Sequence, residues 1–106
     1  MGASEKRELR SRLKVLLLHL LKWRHQVERR SKSWRRSIDD QRLRIAMVVE
    51  DSPSLVAFPA SACDAAYRLA VSAAIAETAL DEAVFPEACP FTIEEILDPA
   101  FYPEPQ

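Results

Sequence analysis

Four side chains in this sequence are of the types that bind zinc, His19, His25, Cys63 and Cys89, and their spacing scatters them. The two histidines are six positions apart, about 600° along a helix, so they project about 120° from each other. The cysteines stand far apart in the chain without a CxxC knuckle. The expectation is no metal, with His19 packed on a helix flank, His25 solvated and both thiols reduced and largely buried. Carboxylates occur as the neighbours Asp39 and Asp40, Glu50 and Asp51, and Glu94 and Glu95. Adjacent helical positions diverge by about 100°, so no such pair converges on one substrate atom as a general acid and base. Solvated faces and caps account for them. Ser31, Ser33 and Ser37 stand among arginines without a base in register, and no GxSxG elbow or HExxH pair occurs. The only glycine is Gly2, which excludes the phosphate-cradling loops that need several residues free to adopt positive φ. These residues argue against an enzyme and imply no cofactor.

The sharper feature is "KWRHQVERRSKSWRRSI", residues 22 to 38, in which two tryptophans sit among seven lysines and arginines with one glutamate. Arg29, Arg30, Lys32, Arg35 and Arg36 gather there as a candidate patch for an anionic partner, since clustered cations neutralise phosphates. Against that reading, Trp23 and Trp34 fall in register with apolar stripes, as core residues do, and the pI near 6.1 lacks a basic excess. Residues 1–44 hold fourteen of the fifteen basic residues against five acids, a net of +9, and residues 45–106 hold one against eleven, a net of −10. Such a split implies either an anionic partner for the first half or two halves that face each other.

The elements that would position these residues read as helices. Ser4 is a plausible cap for a first helix to about Gln26, with acids near its start and bases near its end. Leu9, Leu13, Leu16, Leu17, Leu20, Trp23 and Val27 share one broad face while Val15, Leu18 and Leu21 fall elsewhere, so this helix should be covered nearly all round. Ser33 is the expected cap of a second helix to about Asp51, carrying Trp34, Ile38, Gln41, Ile45 and Val48 inward. Spacings of four pair Arg35 with Asp39, Arg36 with Asp40, and Asp40 with Arg44. Pro53 breaks the helical run. A third helix to about Ala79 starts at Pro53 with a kink at Pro59, or afresh at Ser61, and packs its alanines around Tyr67, Leu69, Val71 and Ile75. Thr92 with Glu95 reads as a capping box for a short helix to about Leu97, followed by an extended Pro-rich tail.

The expected architecture is an all-α bundle of three long helices plus a short C-terminal one, a single helical domain over residues 1–106. The longest apolar runs fall far short of the roughly 20 residues that span a bilayer, and no secretory signal pattern opens the chain. The cytoplasm is the expected location.

From about Met1 to Tyr102 the chain resembles the bacterial domain-of-unknown-function 29 family, through the words "SEKRELRSRLKVLLLHLLKWRHQ", "ERRSKSWRRSI", "EDSPSL" and "FPEACPFTIEEILDPAFYPE". The resemblance implies a small helical protein and carries over no activity or functional residues. It also implies a further acidic and apolar segment ahead of "MGASEKREL", so the chain is expected to be shortened at its N-terminus. Uncovered apolar surface would then favour self-association or a protein partner. A non-catalytic protein-interaction or scaffold domain is the expected function. The alternative is nucleic-acid binding through the basic turn at residues 29–36.

Overall fold

Leucines repeating at spacings of three and four fold the first segment into helix α1, Gly2–His25, in a computed structural model that describes residues 2–105. Seven of its leucines, from Leu9 to Leu21, are buried, and they lie on several sides of the helix. The reason is position: α1 packs against both of the other long helices, which barely meet each other. Lys22, Arg24 and His25 occupy its last turn, where the macrodipole favours cations. Ser4 lies inside the helix, which reaches back to Gly2, and so it is not the cap.

Helix α2, Lys32–Asp51, follows a single 3-10 turn at Val27–Arg29. Its cap is Ser31, not Ser33: extended backbone at Ser31 aims the hydroxyl to accept the Trp34 N–H at 3.1 Å. The inward face carries Ile38, Arg42 and Ile45 fully buried, with Trp34, Gln41 and Val48 half-buried. Of the three ion pairs suggested by spacing, Asp40 with Arg44 forms, at 2.9 Å. Arg35 instead turns to an aromatic ring, and Arg36 pairs with no carboxylate among the described residues.

Pro53 opens a 3-10 turn, Pro53–Leu55, and helix α3 runs over Phe58–Glu77. Neither expected start is realised. Pro59 occupies the first turn of α3, where a missing N–H breaks no helical bond, so it begins the helix instead of kinking it. Ser61 is internal and donates to the Phe58 carbonyl at 2.9 Å. Ala62, Ala66, Ala70 and Ala74 recur every four residues and are buried, a stripe whose small side chains let α3 settle closely on α1. Leu69, expected inside, points outward instead.

The segment after α3 contains a 3-10 turn at Glu82–Val84, capped by Asp81, and reaches helix α4, Ile93–Leu97. The capping box forms in both directions, with Glu95 N–H donating to Thr92 Oγ1 at 3.1 Å and Thr92 N–H to Glu95 Oε1 at 3.0 Å. Beyond α4 the tail is docked: Phe101 meets Phe91 edge-on at 5.8 Å between centroids, and Tyr102 meets Trp23 at 5.1 Å. The architecture is all-α, with no strand among the described residues and a radius of gyration of 13.4 Å, close to the ~13 Å of a compact chain this long. No described helix is long and apolar enough to cross a membrane.

Candidate functional site

The basic stretch between α1 and α2 divides into cations used within the chain and cations left outside. Arg30 belongs to the first group. Its Nε donates to the Trp23 carbonyl at 2.7 Å, one Nη donates to the Pro103 carbonyl at 3.3 Å, and its guanidinium lies 4.8 Å from the Trp23 ring centroid. Arg35, though solvent-exposed, stacks 4.7 Å from the ring of Tyr102, whose hydroxyl donates to Asp39. Trp34 is covered in the same way, by the Lys22 ammonium at 4.7 Å. Both tryptophans are half-buried with cations of their own chain across their faces, so neither offers a free platform for a base.

Arg42, on α2, completes this cluster and escaped the sequence reading. It is 5% exposed, and its Nε donates to the Ile96 carbonyl at 2.8 Å while an Nη donates to the Glu95 carbonyl at 3.3 Å. Those carbonyls lie at the end of α4, where the dipole is negative; Glu95 also accepts the Asp98 N–H at 3.2 Å, whereas Ile96 relies on Arg42. Burial pushes the guanidinium below its ordinary value, and the neighbouring Tyr102, Asp39 and Asp98 act in the opposite sense. The Tyr102 hydroxyl is pushed up, first by burial and then by its bond to Asp39. The signal in the sequence was a charge on a buried stripe, between Ile38 and Ile45.

Arg29, Lys32 and Arg36 remain exposed without a carboxylate pairing. Lys32 and Arg36 border an open cleft that Asp39 and Asp40 also line, so its charge is mixed. Of the five expected patch residues, Arg30 is pinned within the chain, Arg35 is exposed and stacked on Tyr102, and Arg29, Lys32 and Arg36 stay outside.

Three of the paired carboxylates have partners of their own. Asp39 accepts from Tyr102, Asp40 from Arg44, and Glu95 caps α4, each satisfied by a different neighbour. No three His, Cys, Asp or Glu side chains among the described residues gather as metal ligands. His19 sits on the flank of α1 with Nδ1 2.9 Å from the Val15 carbonyl. His25 is not solvated as expected. Its ring packs edge-on against Phe85 at 5.2 Å, Nε2 is buried without a partner, and burial, with Arg24 beside it, lowers its affinity for a proton. Cys63 and Cys89 are free thiols; the neighbouring Cys89 thiol, and then burial, push the Cys63 thiol up, while Cys89 Sγ–H donates to the Phe91 carbonyl at 3.5 Å.

The chain also leaves apolar side chains exposed. On the outer side of α2, Leu43 is 60% exposed and Met47 54%, with Ala46 beside them, and Val56 beyond the Pro53–Leu55 turn is 69% exposed. A groove of about 350 Å³ beside them joins Ala46 to Val56 and is lined further by Ile45, Val49, Pro59 and Leu97 together with Arg42 and Glu50. Scattered exposed leucines are ordinary, whereas a contiguous apolar face with charged margins is the usual mark of a contact surface.

A family model described as a domain of unknown function, DUF29, matches residues 1–102. No curated protein and no solved structure matches the chain.

Proposed function

The chain belongs to the DUF29 family, which brings no activity with it, and on that footing we propose that it is a non-catalytic protein-interaction or scaffold domain that docks through the outer face of α2. One observation carries this reading: Leu43, Ala46 and Met47 stand exposed at spacings of three and four on α2, whose opposite face is already packed, and Ala46 shares a groove with the exposed Val56. Burying that face against a partner removes apolar area from water, and the charges at its margins select orientation. The scattered carboxylates support the non-catalytic part. The two free thiols suit a reducing compartment and support a cytoplasmic place of work.

The test is affinity capture of the tagged chain from its native host, read by quantitative mass spectrometry beside the double variant Leu43→Glu/Met47→Glu. Partners retained by the wild type and depleted in the folded variant are expected. A set of partners that the variant leaves unchanged would remove α2 from the interface.

A second reading, nucleic-acid binding through the basic turn, is favoured by one feature. Arg29, Lys32 and Arg36 stand exposed around the N-terminal end of α2, where the helix dipole also favours anions. Its signature would be affinity that falls steeply with salt, which an apolar protein contact does not show.

A further inference from the structure

We propose that the occupant of the α2 face is a second copy of this chain, packed α2 against α2 in antiparallel orientation about a twofold axis at Leu43. The inference rests on the reading of that face as a docking surface, and it adds the partner and the register.

Arg36, Leu43 and Glu50 are all exposed and stand seven residues apart on α2, so they fall within about 20° of one line along the helix. That line reads basic, apolar, acidic. A twofold interface requires that when one residue meets another, the second meets the first. With the axis at Leu43, Arg36 of each copy comes opposite Glu50 of the other, twice, and Leu43 meets its own equivalent. In the same register Ala46 and Met47 come opposite Asp40 and Asp39 of the other copy, so the apolar centre is Leu43 against its equivalent. A parallel arrangement would instead set Arg36 against Arg36 and Glu50 against Glu50, so the line is complementary to itself in one direction only.

A second observation points the same way. The first turn of α2 holds no acid and its last turn no base, while Lys32, Arg35 and Arg36 crowd its beginning and Glu50 and Asp51 its end. This layout opposes the helix's own macrodipole. Within the chain, Arg35 is stacked on Tyr102, but neither Arg36 nor Glu50 has a charge partner among the described residues. An antiparallel neighbour supplies both what α2 lacks: opposite charge at each end and an opposed dipole. A contact made by one helix face buries less than the standard protein interface, so the dimer is weak and concentration-dependent.

The experiment is sedimentation velocity of the full chain over about a hundredfold concentration series at low salt. The wild type is expected to rise from monomer toward dimer, and Leu43→Glu to remain monomeric. Arg36→Glu and Glu50→Arg should each weaken the dimer about tenfold, and the double variant that exchanges the two charges should recover it. All these positions are exposed, and circular dichroism checks that each variant is folded. A geometric readout stands beside it, with the wild type as the control for Cys63 and Cys89. Under a mild copper oxidant Leu43→Cys should cross-link to itself, whereas the Arg36→Cys positions lie about 21 Å apart across the axis and should not. Mixing Arg36→Cys with Glu50→Cys should restore cross-linking. A wild type that stays monomeric throughout, a dimer indifferent to Leu43→Glu, or a charge exchange no better than its single variants would overturn the inference. If the wild type is monomeric yet loses captured partners with Leu43→Glu/Met47→Glu, only self-pairing falls and the docking face stands.

Discussion

Arg42 shows how one side chain can tie two distant segments together. Its guanidinium reaches carbonyls at Glu95 and Ile96, more than fifty positions along the chain, and lies 5.5 Å from the Tyr102 ring centroid. Removing it would leave the buried Ile96 carbonyl without its donor, while Glu95 keeps the Asp98 N–H. Arg42→Ala should therefore destabilise the fold by about 2–4 kcal/mol in urea unfolding, and Arg42→Lys should recover little because an ammonium lacks the planar fork. His25 offers a second residue-scale test. Burial and Arg24 lower its proton affinity below the ordinary value of 6.5, so between those two values the unfolded chain binds more protons than the folded one. The stability it contributes is complete above about pH 6.5 and is lost as pH falls through the lowered folded value. The melting temperature of the wild type should drop more between pH 7 and pH 5 than that of His25→Gln, and parallel declines would contradict this assignment.

At the scale of elements, most of the fold was legible because the signals are local. The Thr92–Glu95 box and the leucine pattern of α1 lie within single helices, and both appear as read. The errors came where two local solutions compete. Ser31 and Ser33 are both good caps, and the choice falls to whichever precedes the first helical residue in extended geometry. Ser31→Ala should cost about 1 kcal/mol in chemical denaturation while Ser33→Ala stays near zero, and the reverse order would reassign the cap. Pro59 was ambiguous for a related reason, since proline breaks a helix interior but is welcome in a first turn. Leu69 failed because the stripe that meets α1 is built of alanines, whose smallness hid its role from any search for bulky residues. The candidate site was less legible than the fold. Arg30 reaches the carbonyl of Pro103, a contact 73 positions long that no local pattern encodes.

For the whole molecule, the net of +9 in one half and −10 in the other suggested a face-to-face electrostatic match. The halves do meet, though mostly not by pairing charges. Lys22 with Glu77, at 3.2 Å, is the one ion pair between them among the described residues. Five other cations of the first half meet aromatic faces and backbone carbonyls of the second: Arg24 over Phe91, Lys6 and Arg10 over Phe58, Arg30 on Pro103 and Arg42 on α4. This uses the basic stretch to hold the C-terminal segment in place and leaves the apolar outer face of α2 as the surface with most to gain from a partner. The central claim is that the basic turn serves the fold and that docking belongs to the apolar face. The most direct test is fluorescence anisotropy of labelled duplex DNA and single-stranded RNA with the folded chain at low and moderate salt, beside a charge-reversed variant of Arg29, Lys32 and Arg36. The account predicts no tight, salt-sensitive binding by the wild type. Binding that falls steeply with salt and vanishes in the variant would contradict it.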